Sequence, residues 1–322
     1  MINKTVSLNK NRKRYTRKQR RILFYTLMFA LPILQFLLFY LYVNFNSIIM
    51  AFQDKVERET LGDGYKVSFT WDHIKDALKF FEKDDRWKML VNSFSLLFGQ
   101  LFIVTPLALL FSYYIAKGKP GASFFRIMLY LPQVLSIVVL GILYQEIMNN
   151  VYPEIAEKAF GKKDVASLMT QGSTYNAQFW GAFIFTLWFS FGTNVLIYTG
   201  AMSSVDQSIV ESAHLDGVTN MQEFWHIYLP MIFSTLTTFI VTGLAGIFNN
   251  QMSLHTFFGN DKSKVKVFGY YFYGTAAMNL ENAREVNELH DLAALGLMAT
   301  LVIIPITLLT RKMLNKYGPR VD

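Results

Sequence analysis

Uncharged polar residues lie inside two of the most apolar stretches of the chain. The residues that could line a binding path there are Ser190, Thr193, Asn194, Gly243, Asn249 and Asn250. Amides and hydroxyls hydrogen-bond to the hydroxyls of a neutral polyol, and a neighbouring aromatic ring such as that of Trp188 can stack on its C–H faces. The same small and polar residue types also hold membrane helices together, so a packing role stays open for each of them.

The segment 203–230 has the pattern of two short capped helices. Ser208 and Glu211 have the Ser-x-x-Glu spacing of a capping box, in which two side chains satisfy free backbone N–H groups. Asn220 and Glu223 repeat that spacing, and Gly217 between the two pairs suits a left-handed helix end. The segment has four acidic residues and no Lys or Arg. The pattern predicts a rigid surface element.

Motifs for catalysis are missing from the sequence. It contains no Gly-x-x-x-x-Gly-Lys-Ser/Thr loop for nucleotide phosphates, no His-Glu-x-x-His and no Gly-x-Ser-x-Gly. There is no cysteine, and the five histidines are scattered. We therefore predict no catalytic residue, no metal site and no cofactor on this chain.

The composition indicates an integral membrane protein. Apolar residues make up 52% of the 322 and charged residues 17%, below the roughly 25% usual in soluble proteins. Six stretches without Lys, Arg, Asp or Glu run over 22–53, 89–116, 127–145, 165–205, 224–260 and 292–310. A helix needs about 20 apolar residues to cross a bilayer core. We predict an all-α fold with six transmembrane helices, near 22–43, 90–116, 125–146, 179–202, 231–251 and 291–310.

The basic residues predict the orientation of these spans. Nine Lys and Arg lie in residues 1–21, three in 117–126 and four in 311–322. Basic residues close to span ends favour the cytoplasmic side, so both termini are predicted to be cytoplasmic, N-in and C-in. The basic N-terminus is then an anchor on anionic membrane lipid, and no nucleic-acid partner is predicted.

The predicted organisation follows from spans and charges together. A basic cytoplasmic N-terminus at 1–21 precedes a six-span domain at 22–310 and a cytoplasmic tail at 311–322. The external loops are predicted at 44–88, 147–178 and 252–290, and the segment 203–230 is a cytoplasmic loop between the fourth and fifth spans.

The segment 203–230 also carries a family resemblance. The run Glu211-Ser-Ala-His-Leu-Asp-Gly217, followed by Phe224 and Leu229-Pro230, closely resembles the EAA loop of ABC importer permeases, in the carbohydrate-uptake (maltose-type) branch. Asn92-Ser93, Leu131-Pro132 and Ala293-Ala294 also look like that family. Val205-Asp206 departs from it, since Ile-Pro is frequent there. We call residues 203–230 the EAA loop.

The resemblance implies a type I ABC importer permease fold and its partners. These are a second homologous permease subunit, two ATPase subunits that hold ATP and Mg²⁺, an extracytoplasmic sugar-binding protein and a sugar substrate. The location implied is the bacterial cell membrane. The EAA loop would then dock on an ATPase subunit as a coupling helix, with apolar Val210, Ala213 and Leu215 available for contact and Glu211 acting as a cap or as a contact.

The resemblance also assigns residues to roles. The residues implied for ATPase coupling are Glu211, Ser212, Ala213, Asp216 and Gly217. An ungapped alignment on the EAA loop makes Ser190 and Thr193, and Gly243 and Asn250, look like sugar-site positions in spans four and five.

Other functions remain open at this point. One is an ABC permease for an amino acid or a peptide, although no ionic group lies in the predicted path. Another is an ion-coupled secondary transporter, which usually buries Asp, Glu or His in its spans. A third is a membrane assembly protein without a substrate. Neither of the last two classes needs an EAA loop.

Overall fold

The computed structural model describes residues 16–56, 66–82, 86–161, 167–260, 262–282 and 286–319. Within these ranges the chain is helical, with one antiparallel hairpin of β1 (Gln53–Val56) and β2 (Lys66–Phe69). The longer helices are α1 (Arg17–Met50), α3 (Arg86–Ala116), α4 (Ala122–Val134), α5 (Ile137–Ala159), α6 (Tyr175–Ser203), α9 (Phe233–Ala245), α11 (Phe268–Asn282) and α12 (Val286–Tyr317). The shorter ones are α2 (Asp72–Leu78), α7 (Gln207–Leu215), α8 (Asn220–Met231) and α10 (Leu254–Phe258).

Helix α1 belongs to a separate unit that ends at Met50. It begins with a capping box, in which Thr16 Oγ1 accepts from the Gln19 N–H and Gln19 Oε1 accepts from the Thr16 N–H at 2.9 Å. Its 34 residues span about 51 Å at 1.5 Å per residue, longer than the roughly 30 Å of a bilayer core. Residues 1–15, which hold five of the predicted anchor's nine basic residues, lie outside the described residues.

The second unit, from Ala51 onward, contains the remaining predicted spans. Over the described residues, four helices of the chain are long and apolar enough to cross a membrane unbroken, namely α1, α3, α6 and α12. The pair α4 and α5 is bent by 100°, and the pair α8 and α9 by 67°. The number of spans is six if each bent pair crosses once.

The prediction of one continuous helix over 125–146 is wrong. The chain turns at Leu135, whose backbone is extended, and Ser136 caps α5 by accepting from the Val138 N–H at 3.3 Å. Both arms of the bend are apolar, so a charge-free run of residues cannot reveal the break. Helix α5 then continues to Ala159, inside the predicted external loop 147–178.

Pro106 lies within α3 and locally changes its hydrogen bonding. Proline has no N–H to donate to the carbonyl four residues earlier. The helix opens into a π-helical turn over Gln100–Val104, and the Thr105 hydroxyl donates to the Gln100 carbonyl at 3.0 Å. The hydroxyl of Thr105 therefore supplies a hydrogen bond to a backbone carbonyl near the proline. Backbone groups within a membrane need such partners, because no water is available there.

Buried amides join the segments at the end of the bundle away from the EAA loop. Gln178 is fully buried; it donates to the Thr170 carbonyl and accepts from the Lys264 N–H, both at 2.8 Å. Asn92 donates to the Lys266 carbonyl at 2.8 Å. These bonds fix the connection that leads into α11.

The prediction that span five reaches residue 251 is also wrong. Helix α9 ends at Ala245, and Gly246 closes it. Since glycine has a low helix propensity, Gly243 and Gly246 weaken this end of the helix. Asn249 and Asn250 therefore lie in the turn that follows α9, in which Asn250 Oδ1 accepts from the Met252 N–H at 2.9 Å.

Candidate functional site

The first helix of the EAA loop begins two residues earlier than the sequence pattern indicates. Asp206, not Ser208, is the N-cap of α7, and its Oδ1 accepts from the Ser208 N–H at 2.9 Å. This backbone hydrogen bond lowers the pKa of Asp206. The predicted capping box of Ser208 and Glu211 is therefore wrong, and Glu211 is an exposed residue of the helix without a capping role.

The second helix also has a different cap from the predicted one. Thr219 caps α8, and Gln222 returns a hydrogen bond to the Thr219 N–H at 2.9 Å, which completes a capping box. The predicted pair of Asn220 and Glu223 is wrong by one position. Helix α8 then leads directly into α9 through the 67° bend, so the EAA loop is joined to a span without a flexible linker.

Gly217 ends α7 in the predicted left-handed conformation. Its φ is +78°, its N–H donates to the His214 carbonyl at 3.1 Å, and the Val218 N–H donates to the Ala213 carbonyl at 3.1 Å. These two bonds form a Schellman motif. The chain reverses there, which brings α7 and α8 together.

The EAA loop has one face packed on the bundle and one face open. Val210 is only 1% exposed and packs with Phe224 and Tyr228 against α3 and α6. Val210 is therefore not available for docking, contrary to the prediction. The large apolar side chains on the open face are Ile209, Leu215, Met221 and Trp225, and Leu215 is 90% exposed. Of the residues assigned to coupling, Glu211, Ser212, Asp216 and Gly217 are exposed and Ala213 is half-buried.

A buried carboxylate lies beneath the two helices of the EAA loop. Glu223 Oε2 accepts hydrogen bonds from Lys117 Nζ at 2.6 Å and from His214 Nε2 at 2.7 Å. Burial raises the pKa of Glu223, but the hydrogen bonds from Lys117 and His214 outweigh it and hold the pKa below its usual value. Removing one partner of a buried ion pair typically costs about 3–5 kcal/mol. We call Lys117, His214 and Glu223 the clasp.

A cavity of about 640 Å³ lies between α3, α6, α9 and α12. Its polar lining residues are Ser93, Gln100, Thr105, Ser190, Thr193, Asn194, Tyr198, Thr242, Asn250 and Thr310. Among the described residues, none that lines it is charged, and Phe94, Phe98, Phe189 and Phe239 supply aromatic rings. Such a surface offers hydrogen bonds and stacking without an ion pair.

The residues predicted in span four lie at this cavity, and two of them, Ser190 and Thr193, also bond to neighbouring helices. Ser190 Oγ accepts from Gln100 Nε2 of α3 at 3.3 Å. Thr193 donates to Gln133 of α4 at 2.7 Å, and Asn194 donates to the Ser190 carbonyl at 2.9 Å. Ser190 and Thr193 therefore combine helix packing with a place at the cavity, whereas the hydrogen bond of Asn194 stays within α6.

The residues predicted in span five divide between the cavity and its surroundings. Gly243 lines the cavity, where a side chain would take up room. Asn250 lines it too, and its Nδ2 has no hydrogen-bond partner among the described residues. Asn249 is exposed and is not among the lining residues.

A family model described as "Binding-protein-dependent transport system inner membrane component" matches residues 6–322 of the chain. The chain belongs to this family. This permease family supplies a membrane component of ABC transporters, which confirms the resemblance drawn from the EAA loop.

Curated relatives of the permease carry names that refer to sugars. The arabinooligosaccharides transport system permease protein AraP of Bacillus subtilis (strain 168) is 24% identical over 299 residues, which cover 90% of this chain and 88% of that protein. The polygalacturonan/rhamnogalacturonan transport system permease protein YteP of the same organism is 22% identical over 305 residues, or 91% of this chain and 88% of that protein. The similarity to both is spread over most of each chain.

Solved structures confirm the fold. The crystal structure of a bacterial ABC transporter involved in the import of the acidic polysaccharide alginate contains a chain that matches the permease with a TM-score of 0.71 and 21% identity. The match covers 93% of this chain and 97% of that chain. The predicted all-α membrane fold of the type I ABC importer permease is therefore confirmed.

Residues at both sites were missed by the sequence reasoning. Gln100 and Thr105 line the cavity from α3, and they are polar residues inside the charge-free stretch 89–116, which is a signal that could have identified them. Glu223 was assigned to a cap, whereas it is the centre of the clasp. The signal for Glu223 was weaker. The EAA loop has four acidic residues and no Lys or Arg, so a buried carboxylate in it needs a cation from another segment.

Gly269→Ala is expected to reduce uptake by the permease, because Gly269 supports the turn that carries Asn250. A Cβ at Gly269 would lie 2.6 Å from the Asn249 carbonyl oxygen and 2.7 Å from the Asn250 carbonyl oxygen, so the backbone of the turn would have to move. In Gly296→Ala the new Cβ would meet only Phe272 at 3.5 Å, an ordinary contact, and uptake should stay near wild type. Equal uptake rates in the two variants would contradict the prediction.

Proposed function

We propose that this chain is a membrane-spanning permease subunit of an ATP-driven importer that moves an oligosaccharide across a bacterial cell membrane. The observation that carries the proposal is the uncharged cavity between α3, α6 and α9, all of which connect to the EAA loop end of the bundle. The proposed path residues are Ser190, Thr193, Asn194, Gly243 and Asn250. An oligosaccharide fits because it needs many hydrogen bonds and no ionic partner.

The proposed substrate is a neutral sugar rather than an amino acid or a peptide. The zwitterionic or charged ends of those solutes require ionic partners in a low-dielectric site. No Lys, Arg, Asp, Glu or His is among the described residues that line the cavity. The names of relatives include both neutral and acidic saccharides, and the lining of this cavity favours the neutral class.

The proposed partners follow from the open face of the EAA loop. Glu211, Ser212, Ala213, Asp216 and Gly217 would contact a separate ATPase subunit, together with exposed Leu215. Two such ATPase subunits would hold ATP and Mg²⁺, and a second homologous permease would complete the pathway. An extracytoplasmic sugar-binding protein would deliver the substrate at the opposite end. Both termini would then be cytoplasmic. The ion pair between Lys117 and Glu223 supports this orientation, because it joins the loops 117–126 and 203–230, which are both predicted on the cytoplasmic side.

Reconstitution of the complex tests the proposal. The tagged chain is purified in mild detergent with its companions, placed in proteoliposomes, and supplied with labelled arabino-, malto- and galacturono-oligosaccharides and with amino acids. Accumulation of a neutral oligosaccharide that requires ATP and resists a protonophore is expected. Accumulation driven by a proton gradient without ATP, or of an amino acid alone, would overturn the proposal.

Asn250→Ala is expected to lower the rate of sugar uptake about two- to tenfold, because one hydrogen bond contributes about 0.5–1.5 kcal/mol. Asn249→Ala is the matched control: it removes the same amide one residue earlier, outside the cavity lining. Uptake is measured at low sugar concentration beside the amount of ATPase subunit that copurifies. Equal uptake in both variants, or loss of the ATPase subunit in Asn250→Ala, would show that Asn250 has a packing role.

A further inference from the structure

The clasp joins three segments that are distant in sequence. Lys117 lies in the turn after α3, His214 is in α7, and Glu223 is in α8. Lys117 Nζ and His214 Nε2 both lie within 2.7 Å of the same oxygen, Glu223 Oε2, and they are 3.3 Å apart. The two helices of the EAA loop and the end of α3 are therefore held at one point.

The surroundings of the clasp restrict movement there. Glu223 is fully buried, and the side chain of Lys117 is 11% exposed. Tyr113 of α3 donates to the Asn220 carbonyl at 2.9 Å, and its ring packs against those of Phe224 and Tyr228. A buried charge pair inside an aromatic contact can be separated only at a large cost, so a displacement of α8 carries the end of α3 with it. Helix α7 is joined to the same carboxylate through His214, at 2.7 Å.

Helix α3 connects the clasp to the cavity. Thr105 lines the cavity twelve residues before Lys117, which is about 18 Å along a helix. Between these positions the buried Ser112 donates to the Val195 carbonyl of α6 at 3.0 Å, so α3 and α6 are linked. Beyond Thr105, the π-helical turn Gln100–Val104 lines the cavity through Gln100 and Leu101. A displacement of the end of α3 would therefore move two walls of the cavity, those formed by α3 and α6.

We infer that Lys117 and Glu223, with His214, are positioning residues that transmit movement of the EAA loop to the cavity walls formed by α3 and α6. This inference rests on the proposed function, because it takes the EAA loop to be the site where an ATPase subunit acts. The distribution of charge in the sequence agrees with this inference. The loop contains no Lys or Arg, and the cation that its buried carboxylate needs is supplied by the span that has to move.

The test measures the width of the cavity in the assembled complex. The chain has no cysteine, so spin labels can be attached at Leu101→Cys in α3 and Ile240→Cys in α9, both of which line the cavity, with partner subunits also made cysteine-free. The distance between the labels is measured without nucleotide and with ATP plus vanadate, which traps the hydrolysed nucleotide as ADP–vanadate in the ATPase subunits. ATP hydrolysis is measured on the same samples.

The key variants are Lys117→Met, Glu223→Gln and Lys117→Arg. Lys117→Met should keep its ATPase subunits and hydrolyse ATP, while the nucleotide-dependent change in label distance is lost and sugar transported per ATP falls at least tenfold. Glu223→Gln should reduce both the change in label distance and the amount of sugar transported per ATP. Lys117→Arg should keep both near the wild-type values, because arginine supplies the same positive charge. Lys158→Met is the matched control, since it removes the lysine of the exposed Glu154–Lys158 pair at 2.5 Å and should behave as wild type.

Two results would overturn the inference. One is a distance change in Lys117→Met equal to that of wild type. The other is loss of the ATPase subunits from Lys117→Met, which would make the clasp a support for docking alone. Failure of the proposed function would be distinguishable, because the wild-type complex itself would then lack ATP-dependent uptake.

Discussion

Gly217→Val is expected to abolish sugar uptake while the chain remains in the membrane. The backbone of Gly217 has a φ of +78°, a region that β-branched residues strongly avoid, at a cost of about 1–3 kcal/mol. Relief of that strain would break the two bonds of the Schellman motif and change the angle between α7 and α8. Uptake in cells or proteoliposomes and the amount of chain in the membrane are the two measurements.

Gly217→Asn is the matched control for this effect. Asparagine tolerates the left-handed conformation better than other residues with a side chain. A new Cβ at position 217 would meet nothing within 4 Å in the chain itself. Gly217→Asn should therefore retain most of the uptake. If both variants were inactive, the side chain would be clashing with a partner subunit; if both were active, the left-handed helix end would not matter for transport.

Gly192→Ala is expected to destabilise the permease more than any other glycine-to-alanine change in α6. Gly192 is buried where α6 crosses α4, and a Cβ there would overlap the carbonyl oxygen of Leu129 and lie 3.1 Å from Gln133 Nε2. Because backbone of α4 cannot rotate away as a side chain can, the helices must separate. Overpacking of this kind typically costs about 1–3 kcal/mol. Separation would also displace Thr193, which bonds to Gln133 beside the cavity, so uptake should fall as well.

Gly200→Ala in the same helix provides the comparison. Gly200 is exposed, and a Cβ there would meet no atom within 4 Å. Alanine has a higher helix propensity than glycine by about 1 kcal/mol, so this variant should be as stable as wild type or more so. The melting temperature of the purified chain in detergent, followed by intrinsic fluorescence, separates the two cases. Equal melting temperatures would contradict the close approach of α4 and α6.

The EAA loop shows how far a local pattern can be read. The pattern predicted two short helices in 203–230 and a left-handed end at Gly217, and these are present. Both predicted capping boxes were displaced, because Asp206 and Thr219 were closer to the true helix starts than the residues chosen. Several Ser, Thr, Asp and Asn residues stand close together there, and each of them can cap a helix. Spacing alone does not choose among them.

The sequence by itself determined the membrane class, the all-α fold and the family. A bilayer requires long charge-free helices, so the gaps between charges are visible without a structure. The EAA motif is likewise continuous in the chain. The tertiary structure alone decided which polar residues share the cavity, where the bends lie, and that Glu223 pairs with Lys117 across 106 positions of sequence. A bend between two apolar arms changes no residue pattern, and an ion pair between distant segments depends on how helices pack, which no local spacing records.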